Sequence, residues 1–328
     1  MKRREFITFI GGAAASWPLG ARAQQGNWIP RVGFLFPGAK GRNYDSFVTT
    51  LTKTLLELGW TEGKNIQIDY RVADNDFGQI KALAREIVSL KPDVILASTT
   101  PVVAAFQRET SYIPIVFVSV TDPVVSGLVA SLSHPGGNIT GFSNYEPTLV
   151  GKHIEILKEI TPGMTAVSDM FNPDTGRHAI VGPSLEAVAR HLTVELISAP
   201  VSNDSDIEHV ISSIGDKGTI GLDFPGEPFF EARYDLIISL TTRYHVPTIS
   251  TFRLFVEAGG LISYGNDLTE QRRQAVGYID RILKGANPAD LPVQEPTKFQ
   301  MVINLKTAKA MGITIPPTLL ARADEVIE

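Results

Sequence analysis

The sequence predicts an α/β protein of two doubly wound, Rossmann-like lobes with parallel sheets. Three observations predict it. Short apolar runs lack the polar alternation of a half-solvated strand, and each is followed by an amphipathic stretch of helical spacing. The same rhythm then runs a second time, in a half of similar length, without a residue-level repeat. A chain of 328 residues is long enough for two separate cores.

In the first half, RVGFLFP (31–37) reads as a strand and Phe47 to Leu58 as a helix. IQIDYRV (66–72) and GQIKALAREIVSL (78–90) repeat the pair, and DVILAS (93–98) precedes a helix opening at Pro101, whose fixed φ suits a first turn. IPIVFVSV (113–120) is the fourth strand, with a helix expected over 122–132. After PGGNITGFSNYEP (135–147) the expected helices are 149–160, 178–192, 205–214 and 228–244. Strands at 165–173, 193–200, 219–225, 246–251 and 261–265 fall between them or follow them. Helix 268–284 and the late strand 299–305 return to complete one or both lobes.

The N-terminus reads as an export signal. Lys2, Arg3 and Arg4 precede an apolar stretch from Phe6 to Leu19, and Ala21 and Ala23 fit a cleavage site. The stretch is too short to span a bilayer, and Arg3-Arg4 before Phe6-Ile7 resembles a twin-arginine signal. The leader, residues 1–23, is basic, so the rest is more acidic than the whole chain at −5. A soluble periplasmic protein is expected.

Composition and motif tests exclude several chemistries. The acidic balance offers no field for nucleic acid. With no cysteine there is no disulfide, thiolate metal site or lipid-anchored cysteine. The six histidines fall into no metal-ligand spacing and most read as solvated residues of helix surfaces or loops, so no metal is expected. GFSNY (141–145) lacks the second glycine of a nucleophile elbow. GGNITGF (136–142) has no phosphate-loop lysine, and FPGAKGRN after the first strand is not a dinucleotide fingerprint, so no cofactor is expected.

What remains at the strand ends is a set of hydrogen-bonding groups: Ser98, Thr99, Thr100, Ser119, Thr121 and Asp122, then Ser143, Asn144 and Tyr145 in the crossing segment. The second half adds Asn172, Asp223, Thr251 and Tyr264. Hydroxyls beside a helix N-terminus suit a carboxylate, and Asp122 or Asp223 could hold an ammonium. Helix capping is the alternative role for 98–100 and for Asp122, and core packing the alternative for both tyrosines.

PIVFVSVTDPVVSGLVASLSHPGGNITGFS (114–143) and the run from Gly259 to Pro317, GGLISYGNDLTEQRRQAVGYIDRILKGANPADLPVQEPTKFQMVINLKTAKAMGITIPP, resemble the ABC-transporter substrate-binding proteins of the tryptophan-binding-protein-like group. The resemblance implies a type I periplasmic-binding fold with a three-strand hinge near Ser143, Gly265 and Pro292. Lobe 1 would hold 29–143 plus 266–291, and lobe 2 would hold 144–265 plus 292–328. It further implies that Ser98, Thr99 and Thr100 grip a ligand carboxylate. Thr121 and Asp122 would line the same lobe, and Asn172, Asp223 and Tyr264 would line the other. From the residues themselves, Tyr145 and Tyr264, with Phe36 and Phe142 near strand ends, would suit an aromatic or branched apolar body. An amino acid or aromatic acid would be captured and passed to an ABC permease of the inner membrane by a monomeric, non-enzymatic protein. An exported enzyme using the same cleft and a sensory binding module are the competing readings.

Overall fold

The computed structural model describes residues 29–144, 147–215, 217 and 219–328. The leader and Tyr145 lie outside the described residues. The first sheet is built from β1 (Arg31–Phe36), β2 (Gln67–Val72), β3 (Val94–Ser98), β4 (Ile115–Val120) and β5 (Ile139–Ser143). Helices α1 (Arg42–Glu57), α2 (Phe77–Ser89) and α3 (Thr100–Glu109) alternate with them. All five strands are parallel, in the order β2-β1-β3-β4-β5. Fully buried runs such as Val94–Ser98 are continuous because both faces of the sheet are covered.

The second half contributes α4 (Pro147–Ile160), β6 (Ala166–Phe171), α5 (Arg177–His191), β7 (Glu195–Pro200), α6 (Asp204–Gly215) and β8 (Ile220–Phe224). It continues with α7 (Pro228–Glu231), α8 (Tyr234–Arg243), β9 (Thr248–Ser250), α9 (Arg253–Glu257) and β10 (Ile262–Asn266). Then α10 (Leu268–Leu283) returns to the first sheet. Its Ala275, Val276 and Ile279 pack with Phe34, Phe47 and Val116, and Trp60 Nε1 donates to Asp280 at 2.8 Å. β11 (Phe299–Asn304), α11 (Leu305–Ala310), α12 (Pro317–Leu320) and β12 (Glu325–Ile327) complete the second sheet, ordered β12-β11-β10-β9-β8-β6-β7.

The chain thus passes between the sheets three times. Two of the passages are tied together: Ser143 N donates to Gln294 O and Gln294 N donates to Gly141 O, both at 2.9 Å. The third leaves from Asn266, which pairs with Phe299 where β11 runs antiparallel to β10. That antiparallel pairing breaks the expected all-parallel pattern, because β11 enters from the other lobe and not from a crossover helix.

Two expected helices are corrected. Residues 122–132 form a single turn, closed when Leu128 N donates to Pro123 O and Gly127 N donates to Val124 O. Gly127 sits at φ 68°, so this is a left-handed helix stop with no room for propagation. The expected helix 228–244 divides at Arg233 (φ −121°, ψ 12°). Its guanidinium lies over the Phe229 ring at 4.1 Å and donates to Phe229 O and Asp204.

Candidate functional site

A cavity of about 90 Å³ lies between the lobes at the carboxyl ends of the strands, where open α/β sheets bind ligands. That is room for several waters, roughly 10–15 Å³ each, so it exceeds a structural-water site. The described residues hold no cluster of His, Asp and Glu able to take a metal, and no helix among them is long and apolar enough to cross a membrane.

The first wall is made by bent backbone. Thr99, which precedes α3, has φ 74° and ψ 152°, a region costing a β-branched residue about 1–3 kcal/mol. Ser119 has φ 56°, and the β4–β5 register shifts between Val118 and Val120 around it. Gln271 of α10 supports this bulge: its Oε1 accepts from Ser119 N at 3.2 Å, and its Nε2 donates to Ser143 O at 2.9 Å. Asn75 sits at φ 63° after β2, and its Oδ1 is enclosed without a hydrogen-bond partner. Thr99, Thr100, Ser119 and Thr121 all reach the cavity, with Thr100 Oγ1 also accepting from Thr121 N at 3.2 Å. The wall is hydroxyl-rich and carries no charge of its own.

The second wall is charged and aromatic. Asn172 caps the turn Pro173–Thr175, its Oδ1 accepting from Asp174 N at 2.8 Å. Gly176, at φ 69°, then releases Arg177 as the first residue of α5, facing the cavity. Across from it, Pro225-Gly226-Glu227-Pro228 leaves β8. A Cβ on Gly226 would lie 2.0 Å from the Phe252 ring, so the close approach of that ring needs glycine. Phe229, Phe252, Leu149 and Val181 supply apolar surface. Arg177 Nη1 and Glu227 Oε2 are both enclosed, and neither has a hydrogen-bond partner. Burial pushes the Glu227 carboxyl up to about 7 against the opposing pull of Arg177 and Thr175.

Behind this wall Asp169 and Asp223 stand side by side on β6 and β8. Burial and the Asp223 charge push Asp169 up to about 6, opposed by Arg177 and His178. His178 Nδ1 lies 3.0 Å from Asp169 Oδ2, with its ring stacked on Phe171 at 3.7 Å. His153 Nδ1 lies 2.9 Å from Asp223 Oδ1, and its Nε2 lies 2.6 Å from Tyr264 O. A carbonyl only accepts, so Nε2 carries a proton. His153 is 2% exposed, which corrects its reading as a solvated surface residue. It sits there because Asp223 and the Tyr264 carbonyl meet its two ring nitrogens inside the core.

Of the residues singled out from sequence, Thr99, Thr100 and Thr121 meet in the cavity, with Asn144 and Thr251. Ser98 is the buried last residue of β3, and Asp122 Oδ1 accepts from Val125 N at 3.0 Å. Asn172 caps its turn, Asp223 is engaged by His153, and Tyr264 stacks on Phe299. None of these five lines the cavity. Sequence reasoning missed Asn75, Ser119's bulge, Arg177, Glu227 and the two phenylalanines. The signal for two of them was present: NPDTGR (172–177) and FPGEPF (224–229) are turn-rich strand ends that each deliver one charge.

A second polar contact joins the lobes outside the cavity. Asn43 Nδ2 donates to Glu231, and Arg272 Nη2 donates to Asn43 Oδ1. Arg272 is buried with its guanidinium 4.4 Å from the Phe47 ring centre, and desolvation lowers it to about 10.

Comparison with known proteins places the chain. Residues 40–327 match the family described as ABC transporter substrate binding protein. The chain belongs to this family. A tyrosine-binding protein of Clostridioides difficile (strain R20291) is 30% identical over 261 residues, which are 80% of this chain and 75% of that one. A conserved domain protein of Vibrio cholerae has a similar structure, with TM-score 0.85 and 29% identity, covering 91% of this chain and all of the other. An ABC domain of Streptococcus pneumoniae in complex with L-Trp has TM-score 0.84 and 24% identity, covering 92% and 100%. This substrate-binding protein therefore has the type I periplasmic-binding fold, and its cavity sits between the two α/β lobes.

Proposed function

We propose that the chain is the periplasmic solute-capture component of an ABC importer. It takes a small carboxylate with an aromatic or apolar body, an amino acid or an aromatic acid, and delivers it to a permease. The observation that carries this reading is the cavity itself. Both lobes contribute, the surface is apolar and aromatic, and Asn75, Arg177 and Glu227 of its lining each carry an enclosed polar atom without a hydrogen-bond partner. Such atoms cost stability unless a partner meets them, and a bound solute is that partner. The names of two similar proteins, one binding tyrosine and one holding tryptophan, support an aromatic body.

Arg177, the hydroxyls of Thr99 and Thr121, and the start of α3 supply the donors for the carboxylate. Closure turns on the three passages near Ser143, Gly265 and Pro292, with Asn43 and Glu231 meeting as the lobes approach. Ligand contacts made from both lobes exist only when they are together, which biases the hinge toward closure. The ligand leaves unchanged.

A thermal-shift screen of residues 24–328 against amino acids and aromatic carboxylates tests this, with hits followed by chromatography. The expected result is saturable stabilisation, about 2.7 kcal/mol at 100 times Kd, with the ligand recovered intact. Consumption of the ligand would make the cleft an enzyme's.

A further inference from the structure

We infer that Gln271 is a positioning residue for solute capture: its side-chain amide fastens the cavity wall at Ser119 to the hinge passage at Ser143, so that wall shape and hinge angle are set together. The inference rests on the proposed capture function and gives part of it to a residue that is not among the described residues of the cavity lining.

α10 lays an apolar stripe on the first sheet, with Ala275, Val276, Ile279 and Ile282 buried at helical spacing. Gln271 stands one turn before Ala275 and is 6% exposed. An apolar side chain would satisfy the period there, and a buried amide costs stability unless its groups are bonded. Both of its groups are bonded. Oε1 accepts from Ser119 N at 3.2 Å and from Ser119 Oγ at 3.4 Å, and Nε2 donates to Ser143 O at 2.9 Å. Ser119 N only donates and Ser143 O only accepts, so the partners themselves fix which way round the amide lies. The backbone that carries it is held as well: Asp267 Oδ1 accepts from Thr269 N and Glu270 N, and Gln271 N donates to Asp267 O at 3.0 Å.

The two partners belong to different parts of the machine. Ser119 lines the cavity, and at φ 56° it sits where the β4–β5 register shifts, a backbone conformation that persists only while its surroundings hold it. Ser143 ends β5 where the chain leaves the first lobe, and its N donates to Gln294 O of the returning passage. Ser143 Oγ and Asn144 N both donate to Val120 O, next in sequence to Ser119. α10 itself opens directly after the passage from Asn266. One amide thus joins the cavity wall to the outgoing passage, its own helix continues a second passage, and the Ser143–Gln294 pair brings in the last. A solute that bonds Ser119 acts on a residue fastened to the hinge, and a change of hinge angle at Ser143 pulls on the wall. With the amide removed, wall and passage relax separately. Fewer molecules then hold the binding-competent arrangement, and apparent affinity falls by the fraction lost.

Two readouts on one variant test the inference. The chain has no cysteine, so Lys53→Cys on α1 and Glu208→Cys on α6, exposed positions in opposite lobes, accept a pair of spin labels whose separation is measured by double electron–electron resonance. Gln271→Met keeps the length of the side chain and removes all three contacts. Without any solute, its interlobe distances should be spread more widely than those of the labelled parent. Calorimetric titration with L-tryptophan and L-tyrosine should show roughly tenfold weaker binding by Gln271→Met of whichever binds the parent. Weaker binding with unchanged distances makes Gln271 a support of the wall alone, and wider distances with unchanged affinity make it a support of the hinge alone. Either result, or no change in both, overturns the inference and leaves the capture function standing. If a melting curve shows Gln271→Met unfolded, amide hydrogen exchange of the parent decides: the amino acid that binds should slow exchange in 116–120 and 141–146 together, and slowing of one segment alone overturns the inference. If neither amino acid binds the parent, the inference falls together with the capture of aromatic amino acids.

Discussion

The two walls of the cavity are built from different materials. The first lobe shapes its wall with backbone: Asn75, Thr99 and Ser119 all sit at positive φ, and Gln271 props the bulge from behind. The second lobe uses regular helix starts and tight turns to carry side-chain charge, with buried Asp169 and half-buried His178 behind Arg177. Strained backbone aims short hydroxyls with little freedom to adjust. Long charged side chains supply the stronger and longer-ranged attraction but depend on pH and on what pairs them. The charged side chains of the described lining, Arg177 and Glu227, thus come from the second lobe, and the bent backbone comes from the first.

The sharpest way to break the comparison is Arg177→Met. Removal of this cation, the one Lys or Arg among the described lining residues, should cost on the order of 100-fold in affinity for any carboxylate ligand, through loss of a charged hydrogen bond. Melting temperature should hold, because Arg177 is half-buried and its Nη1 has no hydrogen-bond partner to lose. A falling melting temperature with intact affinity would make Arg177 a structural residue and erase the contrast.

Thr99→Gly probes the other wall. Glycine accepts φ 74° and ψ 152° without a Cβ clash, which offsets its extra entropy in the unfolded chain. Stability should stay level or increase, and affinity should drop by roughly tenfold or less, for one neutral hydroxyl. Chemical denaturation and titration together read both; a clear loss of stability would mean that Thr99 is unstrained.

The smallest effect sharpens the contrast through pH. Glu227 near 7 and Asp169 near 6 hold their protons more tightly in the folded chain than in the unfolded one. The stability they give is complete below about pH 4 and is lost as pH rises through 6 and 7. The ligand-free protein should therefore melt a few °C lower at about pH 8 than at about pH 5, and Glu227→Gln should flatten the trend. A melting temperature that climbs over that range places the dominant titration outside this wall.

Legibility followed the range of each interaction. The strand runs and amphipathic helices were readable because period and continuity are local properties. The turn at 122–128 was misread as a helix because Gly127 stops it by taking a left-handed conformation, which apolar spacing does not record. The hydroxyls at 99, 100 and 121 were found because strand ends in this fold meet at a cleft. Asp223, Asn172 and Tyr264 satisfied the same rule, yet their polar groups or rings are taken up by His153, by the turn at 173–175 and by Phe299. The rule says where a strand ends and not which way a side chain leaves it.

The sequence alone determined the fold class, the double rhythm, the late return of the chain and the family likeness, since each rests on hydrophobic pattern and motif. Tertiary structure alone decided the chemistry of the second wall. Arg177 and Glu227 are 50 residues apart, and His153, which engages Asp223 behind them, is a further helix away. Only packing of α4, α5 and the β8 turn around one sheet brings these groups within electrostatic reach, and only burial there makes their charges costly enough to matter.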